Sequence, residues 1–200
     1  MPTKPCNMAA IILAAGESTR FGSQKMAHRY KNKSLLEHSI DKIDTKVFQT
    51  LIVVTGANSE NLLAQHRHLQ HDCKFIENTQ WKSGLSTSIA AGITALEQSQ
   101  PKPDAALFLL GDQIAIAQSE LNTMAALAAE NPDTIVCARY NNKQAAPAIF
   151  PSRYFSILKR LRGDKGASSL LNNFENRVLP VDIASAANDI DRPEDLEKHK

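Results

Sequence analysis

The chain has little net charge, few cysteines and no long apolar run, and each absence excludes a class of protein. Its net charge is only +2 over 200 residues, so it lacks the clustered basic face that nucleic-acid phosphates require. No stretch approaches the roughly 18 apolar residues of a membrane span, and residues 1–20 have no signal-peptide core. We therefore expect neither nucleic acid nor a membrane among its partners.

The three cysteines, Cys6, Cys73 and Cys137, are far apart in the sequence. An odd number at such spacings forms neither a disulfide framework nor a structural zinc site, so we expect buried thiols in a reducing cytoplasm. The three histidines of segment 66–71 are spaced by two and three residues, which does not place them on one helix face for a metal. We expect these histidines to be solvated.

Apolar runs alternate with amphipathic segments along most of the chain. The runs favour strands buried on both faces, because they are rich in Ile, Val, Leu and Phe and show little alternation. Strands are predicted at residues 8–13, 51–54, 74–76, 105–110 and 134–137, and helices at 34–43, 59–69, 86–98 and 118–129. Such alternation is typical of an α/β fold, here a three-layer α/β/α sandwich with a mostly parallel sheet.

The segments that directly follow the predicted strands are the candidates for function, because open α/β sheets bind ligands at the carboxyl ends of their strands. These segments are 14–25, 55–58, 77–84 and 111–113. Thr55 and Gly56 are candidates on this ground. With neither repeats nor a long linker, the whole chain, 1–200, is expected to form one domain.

The loop after the first strand carries two glycines, an arginine and a lysine. Glycine lets a backbone turn N–H groups towards a ligand, and fixed cations neutralise a polyphosphate. Lys25 follows Gly22 by three positions with no Ser or Thr after it, which excludes a Walker A loop, and the glycine spacing excludes the dinucleotide fingerprint. The loop therefore predicts a phosphate site of another kind. Its candidate residues are Leu13, Ala14, Ala15, Gly16, Ser18, Arg20, Gly22 and Lys25.

The tripeptide Gly111-Asp112-Gln113 follows the fourth predicted strand. An aspartate at the end of an apolar strand is held at the mouth of the sheet, where it can bind a cation. Magnesium prefers one or two carboxylates together with phosphate oxygens. An ordinary turn aspartate is the alternative that the spacing leaves open.

Two further segments carry polar candidates. Asp189 and Asp191 end an apparent strand, and Pro193 suits the start of a helix. In segment 78–93, hydroxyls and free N–H groups at a helix start can bind a base or an anion. The candidates there are Asn78, Gly84, Ser86 and Ser88, whereas Trp81 is expected to be a packing residue.

Taken together, these motifs resemble the molybdenum cofactor cytidylyltransferases. The signature L-A-A-G-x-S-x-R-F-G-x-x-K of that family matches residues 13–25 throughout, and the resemblance extends from Ala9 to Leu196. Leu-Ala-Ala-Gly and Gly-Asp-Gln favour the cytidylyl branch over the guanylyl branch. The resemblance implies a Rossmann-like nucleotidyltransferase sheet, CTP and a phosphorylated pterin as substrates, and transient contact with a molybdoenzyme.

The resemblance also implies roles for individual residues. Arg20, Lys25 and Asp112 are implied to be catalytic, with Mg²⁺ held by Asp112 and Asp189. Two such carboxylates repel each other without a cation, so we expect Asp112→Asn to leave the metal-free protein no less stable. Nucleotide binding is assigned to about residues 8–115, including segment 78–93 and Gly111.

Acceptor binding is assigned to about residues 116–200. Its implied contacts are Gln113, Pro147 and Asp191, and Asp191 is also the second choice as metal ligand. Segment 163–167 resembles a conserved turn of the family. The chain departs from the family at Ile114, Ala146 and Ser168, so the acceptor half is the weaker match.

Three other functions stay open. A guanylyltransferase of the same family differs in the base it selects, and a sugar- or polyol-phosphate nucleotidyltransferase shares the fold and first loop. A cofactor carrier without transferase activity is the third, although a carrier needs no clamp for a triphosphate.

Overall fold

The protein is described from a computed structural model, which covers residues 6–22, 24–163, 171 and 177–199. Its strands are β1 (Met8–Ala14), β2 (Arg29–Tyr30), β3 (Lys33–Ser34), β4 (Phe48–Thr55), β5 (Lys74–Glu77), β6 (Ala105–Leu110), β7 (Ile135–Tyr140), β8 (Lys143–Pro151) and β9 (Val178–Asp182). Its α-helices include α1 (Leu35–Ile40), α2 (Ser59–Gln65), α3 (Leu85–Glu97), α4 (Gln118–Glu130) and α5 (Phe155–Leu158).

Seven of these strands form one sheet in the order β5-β4-β1-β6-β8-β7-β9, and β2 pairs with β3 in a small hairpin. β1 lies between β4 and β6 and is parallel to both. Within the described ranges, β8 is the strand of this sheet that runs antiparallel to its neighbours, β6 and β7. The prediction of a mostly parallel sheet is therefore confirmed.

Alternate residues of the central strands feed two separate cores. Ile12 and Val53 point to the face covered by α1, α2 and α4, whereas Ile11 and Val54 point to the face covered by α3 and α5. All four side chains are fully buried, which explains why these strands read as continuous apolar runs. The result is the three-layer α/β/α sandwich that the sequence predicted.

Several predicted elements differ from those observed. The predicted helix at 59–69 is α2 followed by a short 3₁₀ helix, Arg67–His71. The apparent strand ending at Asp191 is wrong, because residues 188–192 are irregular and a 3₁₀ helix, Pro193–His199, follows them. Neither β8 nor β9 was predicted. Ile190, between the two aspartates, is fully buried and anchors this loop.

Buried polar groups account for one wrong expectation and one confirmed one. His66 is buried rather than solvated, and its Nε2 lies 2.7 Å from the Ser34 Oγ that caps α1. His68 and His71 are exposed as expected. Cys73 and Cys137 are buried thiols as expected, whereas Cys6 is only half-buried. Burial raises the pKa of Cys73 to about 11 and that of Cys137 to about 12. Among the helices that the structure describes, none is long and apolar enough to cross a membrane.

The loops that follow β1 and β6 meet at the carboxyl edge of the sheet. The Gly111 N–H donates to the Leu13 carbonyl at 3.0 Å, which joins the glycine loop, residues 14–25, to the Asp112 loop, residues 111–113. The connections from β1 and β6 leave towards opposite edges of the sheet, and ligands of open α/β sheets bind at such a reversal. The fold thus brings the two strongest sequence motifs together.

Gly92 lets α3 pack directly on the central strands. A Cβ at this position would lie 2.8 Å from Ile11 Cγ2 and 3.2 Å from Val54 Cγ2. Helix propensity alone favours Gly92→Ala by about 1 kcal/mol, but we expect overpacking to outweigh it and lower the free energy of unfolding by about 1–3 kcal/mol. Chemical denaturation measures the change. Thr94→Ala, on the exposed face of α3, is the control and should not destabilise. An increase in stability for Gly92→Ala would contradict this packing.

Candidate active site

A cavity of about 470 Å³ opens at this edge of the sheet. It is lined mainly by the glycine loop, the start of α3 and the loop after β6. The lining residues are Leu13, Ala14, Ala15, Gly16, Glu17, Ser18, Arg20, Phe21, Lys25, Met26, Trp81, Lys82, Gly84, Leu85, Ser88, Leu110, Gly111, Asp112 and Asp191. A volume of this size is in the range of small-molecule sites.

Two apolar anchors shape the glycine loop. Phe21 and Met26 are buried and pack into the core on one face of the sheet, which anchors the end of the glycine loop. Ser18 and Gly22 have positive φ values of 58° and 73°, which turn the chain on either side of a 3₁₀ helix, Thr19–Phe21. Arg20 is left exposed within this helix, with 71% of its side-chain surface accessible, so its guanidinium is available to a ligand.

Lys25 connects three parts of the chain. Its Nζ donates to Asp112 Oδ2 at 2.7 Å and to the Ile190 carbonyl at 2.7 Å. The Asp191 Oδ1 atom lies 3.7 Å from the same Nζ. The ammonium and the Asp112 carboxylate are largely buried, with 11% and 19% of their side chains exposed. The lysine therefore fixes the glycine loop to two acidic segments, residues 111–113 and residues 189–191.

The second oxygen of Asp112 fits a cation. Among the described residues, this buried Oδ1 finds no hydrogen-bond partner, which is costly unless a ligand satisfies it. The described part of the chain contains no cluster of three or more His, Cys, Asp or Glu side chains suited to a metal. Magnesium needs only one or two carboxylates when phosphate oxygens complete its shell, so Asp112 with one further carboxylate suits that ion.

Asp189 and Asp191 lie on the segment that faces Asp112. Although Asp189 as a residue remains exposed, partial burial of its carboxyl, together with the charges of Asp112 and Asp191, raises its pKa to about 6. Asp191 instead accepts a hydrogen bond from Arg20 Nη1 at 2.5 Å. The Ile190 N–H donates to the Asp112 carbonyl at 3.2 Å, so the two acidic segments are held together by their backbones.

The opposite wall of the cavity is built around Asn78. This buried side chain donates to Thr87 Oγ1 at 2.8 Å and to Ser88 Oγ at 3.0 Å, and accepts from the Gln80 N–H. It thereby orders the start of α3 rather than lining the cavity. Ser88 lines the cavity from α3, and Lys82 lies 5.3 Å from the centre of the Trp81 ring.

The structure thus brings most of the predicted phosphate residues to one cavity, but not all of the predicted site. Thr55 is fully buried and bonds Ser59 Oγ at 2.8 Å. A Cβ on Gly56 would lie 2.7 Å from Trp81 Cβ, so this glycine serves close packing. Eight predicted residues do not line the cavity: Gly22, Thr55, Gly56, Asn78, Ser86, Gln113, Pro147 and Asp189.

The predicted acceptor residues are distributed differently. Gln113 and Pro147 are buried, Gln113 beside the end of β6 and Pro147 within β8, whereas Asp191 lines the cavity. Their roles towards an acceptor stay predictions. The turn predicted at 163–167 has only its first residue, Gly163, in the described chain, and Ser168 lies outside it.

Sequence reasoning missed residues that complete the cavity. Trp81 lines it as well as packing on Gly56, although it was expected only to pack. Glu17 and Leu85 also line it, and their neighbours in the recognised motifs were the available signal. Tyr140, at the end of β7, lies near the acidic segments, and burial, followed by the charges of Asp189 and Asp112, raises its pKa.

Comparison with known protein families gives one match over most of the chain. The sequence profile described as the MobA-like NTP transferase domain matches residues 10–178. The purine catabolism protein PucB of Bacillus subtilis is 26% identical over 203 residues, covering 95% of this chain and 94% of that protein.

Solved structures share the same fold. Rv0371c from Mycobacterium tuberculosis superimposes with a TM-score of 0.76 at 24% identity, over 98% of both chains, and a complex of that protein with manganese is also similar, with a TM-score of 0.73. The nucleotidyl transferase Mth528 from Methanothermobacter thermautotrophicus superimposes with a TM-score of 0.80 at 18% identity, over 96% of this chain and 95% of that one.

The contacts of the two acidic segments predict opposite effects on stability. Asp112 is paired with Lys25, so the expectation that Asp112→Asn leaves the metal-free protein no less stable is revised. We now expect Asp112→Asn to lower the free energy of unfolding by about 1–3 kcal/mol.

Asp189 has a pKa raised to about 6, so its ionisation destabilises the metal-free fold as pH rises from about 4 through 6. Asp189→Asn should therefore be more stable than wild type at pH 8.

Thermal melts in EDTA at pH 8 and pH 4 test this pair. The advantage of Asp189→Asn should disappear at pH 4, because Asp189 is then largely protonated in the folded protein. A lower melting temperature for Asp189→Asn than for wild type at pH 8 would show that burial and neighbouring charges do not destabilise the ionised carboxylate of Asp189.

Proposed function

The chain belongs to the MobA-like NTP transferase family, and we propose that it transfers CMP from CTP to the phosphate of molybdopterin, releasing pyrophosphate. Its nucleotidyltransferase class and nucleoside triphosphate substrate follow from the family. The observation that carries the proposal is the convergence of Lys25, Arg20 and Asp112 on one cavity bordered by the glycine loop. We place this chemistry in the cytoplasm, with nucleotide binding in about residues 8–115 and acceptor binding in about residues 116–200.

The reaction needs positioning and charge neutralisation more than covalent help from the protein. A phosphate oxygen of the acceptor attacks the α-phosphorus of CTP, a new P–O bond forms, and the bond to the α,β-bridging oxygen breaks. In the proposal, backbone N–H groups around Ala15 and Gly16 hold the triphosphate. Arg20 binds the β- and γ-phosphates, since its planar fork of donors matches pairs of oxygens.

Lys25 is proposed to stabilise the charge that grows on the bridging oxygen as pyrophosphate leaves. It is already held at the mouth of the cavity by Asp112 and the Ile190 carbonyl, so little reorganisation is needed. Mg²⁺ held by Asp112 and Asp189 would neutralise phosphate charge there. The partnerless Oδ1 of Asp112 supports that assignment, as does the charge crowding around Asp189.

Arg20 must change partner when a nucleotide binds. In the free protein its guanidinium is bonded to Asp191, and both side chains are exposed enough to exchange partners at little cost. Phosphate oxygens can replace the Asp191 carboxylate on Arg20. Asp191 then becomes available to the acceptor, the role that the family resemblance implies for it.

The choice of CTP rests on two sequence motifs at the cavity. Residues 13–16 read Leu-Ala-Ala-Gly and residues 111–113 read Gly-Asp-Gln, and both resemble the cytidylyl branch of the family. All four residues of the first motif line the cavity, as do Gly111 and Asp112 of the second. The rival functions are a guanylyltransferase, a sugar- or polyol-phosphate nucleotidyltransferase and a carrier that transfers nothing.

We expect CTP to be used far better than GTP, ATP or UTP with a molybdopterin acceptor. Pyrophosphate release with each triphosphate, in the presence of Mg²⁺, measures kcat/KM for all four. Preference for GTP would reassign the chain to the guanylyl branch. Pyrophosphate release with a sugar phosphate but not with molybdopterin would reassign the acceptor. Binding of molybdopterin without any pyrophosphate release would indicate the cofactor carrier.

Lys25→Ala should lower kcat by about 10²-fold or more, because it removes a fixed positive charge from the reacting phosphates. The matched control is Lys33→Ala, which removes a surface lysine paired with Asp41 away from the cavity and should keep its turnover. Circular dichroism of both variants checks that the fold is retained. A folded Lys25→Ala protein with near-normal turnover would remove Lys25 from the proposed machinery.

A further inference from the structure

Gln113 occupies a buried junction next to the acidic segments. It is 1% exposed and does not line the cavity. Its Nε2 donates to the Ala146 carbonyl at 3.2 Å and to the Ala186 carbonyl at 3.3 Å, and its Oε1 accepts from the Leu110 N–H at 3.4 Å. One side chain therefore joins the end of β6, the middle of β8 and the 3₁₀ helix Ala184–Ala187.

These contacts connect the two carboxylates proposed to hold the metal. Asp112 is the chain neighbour of Gln113, and Ala186 lies three residues before Asp189. The Gln113 amide also opposes the rise in the pKa of Asp189 that burial and the Asp112 charge cause. Apart from the Ile190-to-Asp112 backbone bond and the Lys25 contacts, Gln113 is the principal polar connection between these segments in the described structure.

We infer that Gln113 is a positioning residue that holds Asp189 beside Asp112 and thereby sets the affinity of the site for a divalent cation. This inference rests on the proposed function. Two carboxylates separate when nothing opposes their repulsion, so a neutral buried donor between their segments keeps both available to one ion. Outer-shell hydrogen bonds of this kind typically change metal affinity by 10–100-fold when they are removed.

A purely structural role makes a different prediction. If Gln113 only satisfies buried carbonyls, its loss lowers the free energy of unfolding but leaves the metal affinity of the folded protein unchanged. If it contacts the acceptor, its loss changes neither metal nor CTP binding when acceptor is absent. Metal binding without acceptor therefore separates the three roles.

The test measures the binding of Mn²⁺ to the Gln113→Met variant by electron paramagnetic resonance, with CTP present and acceptor absent. Methionine keeps the length of glutamine but has no donor. We expect the Mn²⁺ affinity to weaken about tenfold or more. CTP affinity in EDTA should stay at the wild-type value. That affinity is measured by the quenching of tryptophan fluorescence, since Trp81 is the single tryptophan of the chain and lines the cavity.

Asn122→Leu is the matched control, because it removes a side-chain amide elsewhere in the fold. This half-buried amide donates to Asp44 at 3.1 Å and does not line the cavity. Its Mn²⁺ affinity should equal that of wild type. If Gln113→Met gives no cooperative melt, Gln113→Asn replaces it, since its amide is withdrawn by one methylene and the same weakening is expected.

The outcomes separate this inference from the function on which it rests. Wild-type protein that binds no Mn²⁺ with CTP would overturn the proposed function itself. Wild-type binding together with unchanged affinity in a folded Gln113 variant would overturn only the positioning role. Failure of both Gln113 variants to fold would also overturn it, because the residue would then be essential to the fold rather than to the site.

Discussion

The ion pair between Lys25 and Asp112 is the interaction on which the rest of the site depends. Its 2.7 Å contact is largely shielded from water, so it is weakened little by salt. Because the same ammonium also binds the Ile190 carbonyl, the glycine loop, the end of β6 and the C-terminal acidic segment share one contact point. The Lys25 ammonium, which connects these three parts of the site, is also the group proposed to act on the phosphates.

The sheet explains why this contact point exists. β1 and β6 are adjacent and parallel, so their loops leave the sheet side by side, and the Gly111-to-Leu13 hydrogen bond fixes their spacing. The antiparallel β8 then separates β6 from β7 and β9. This adds strands on that side of β6, and the segment after β9 returns to Asp112 through the Ile190 N–H.

The sequence predicted the parts of the site that follow strong apolar strands. The glycine loop and Asp112 both come directly after fully buried runs, so local pattern was enough to place them. β8 begins with polar residues, Lys143 and Gln144, so no apolar run marks its start. The available signal was Asn141-Asn142, both with positive φ, which joins β8 to β7 in a two-residue hairpin. The contact of Lys25 with Ile190 spans 165 residues, and the burial of Gln113 likewise depends on carbonyls that only the tertiary fold supplies.

The central claim is that Asp112 and Asp189 serve one metal ion, and a double-mutant cycle on kcat/KM tests it most directly. Asp112→Asn, Asp189→Asn and the double variant are measured with CTP at several Mg²⁺ concentrations. Carboxylates that share an ion give a double variant much less impaired than the sum of the single losses, with weakened magnesium dependence in each. Additive losses with unchanged magnesium dependence would contradict the shared site.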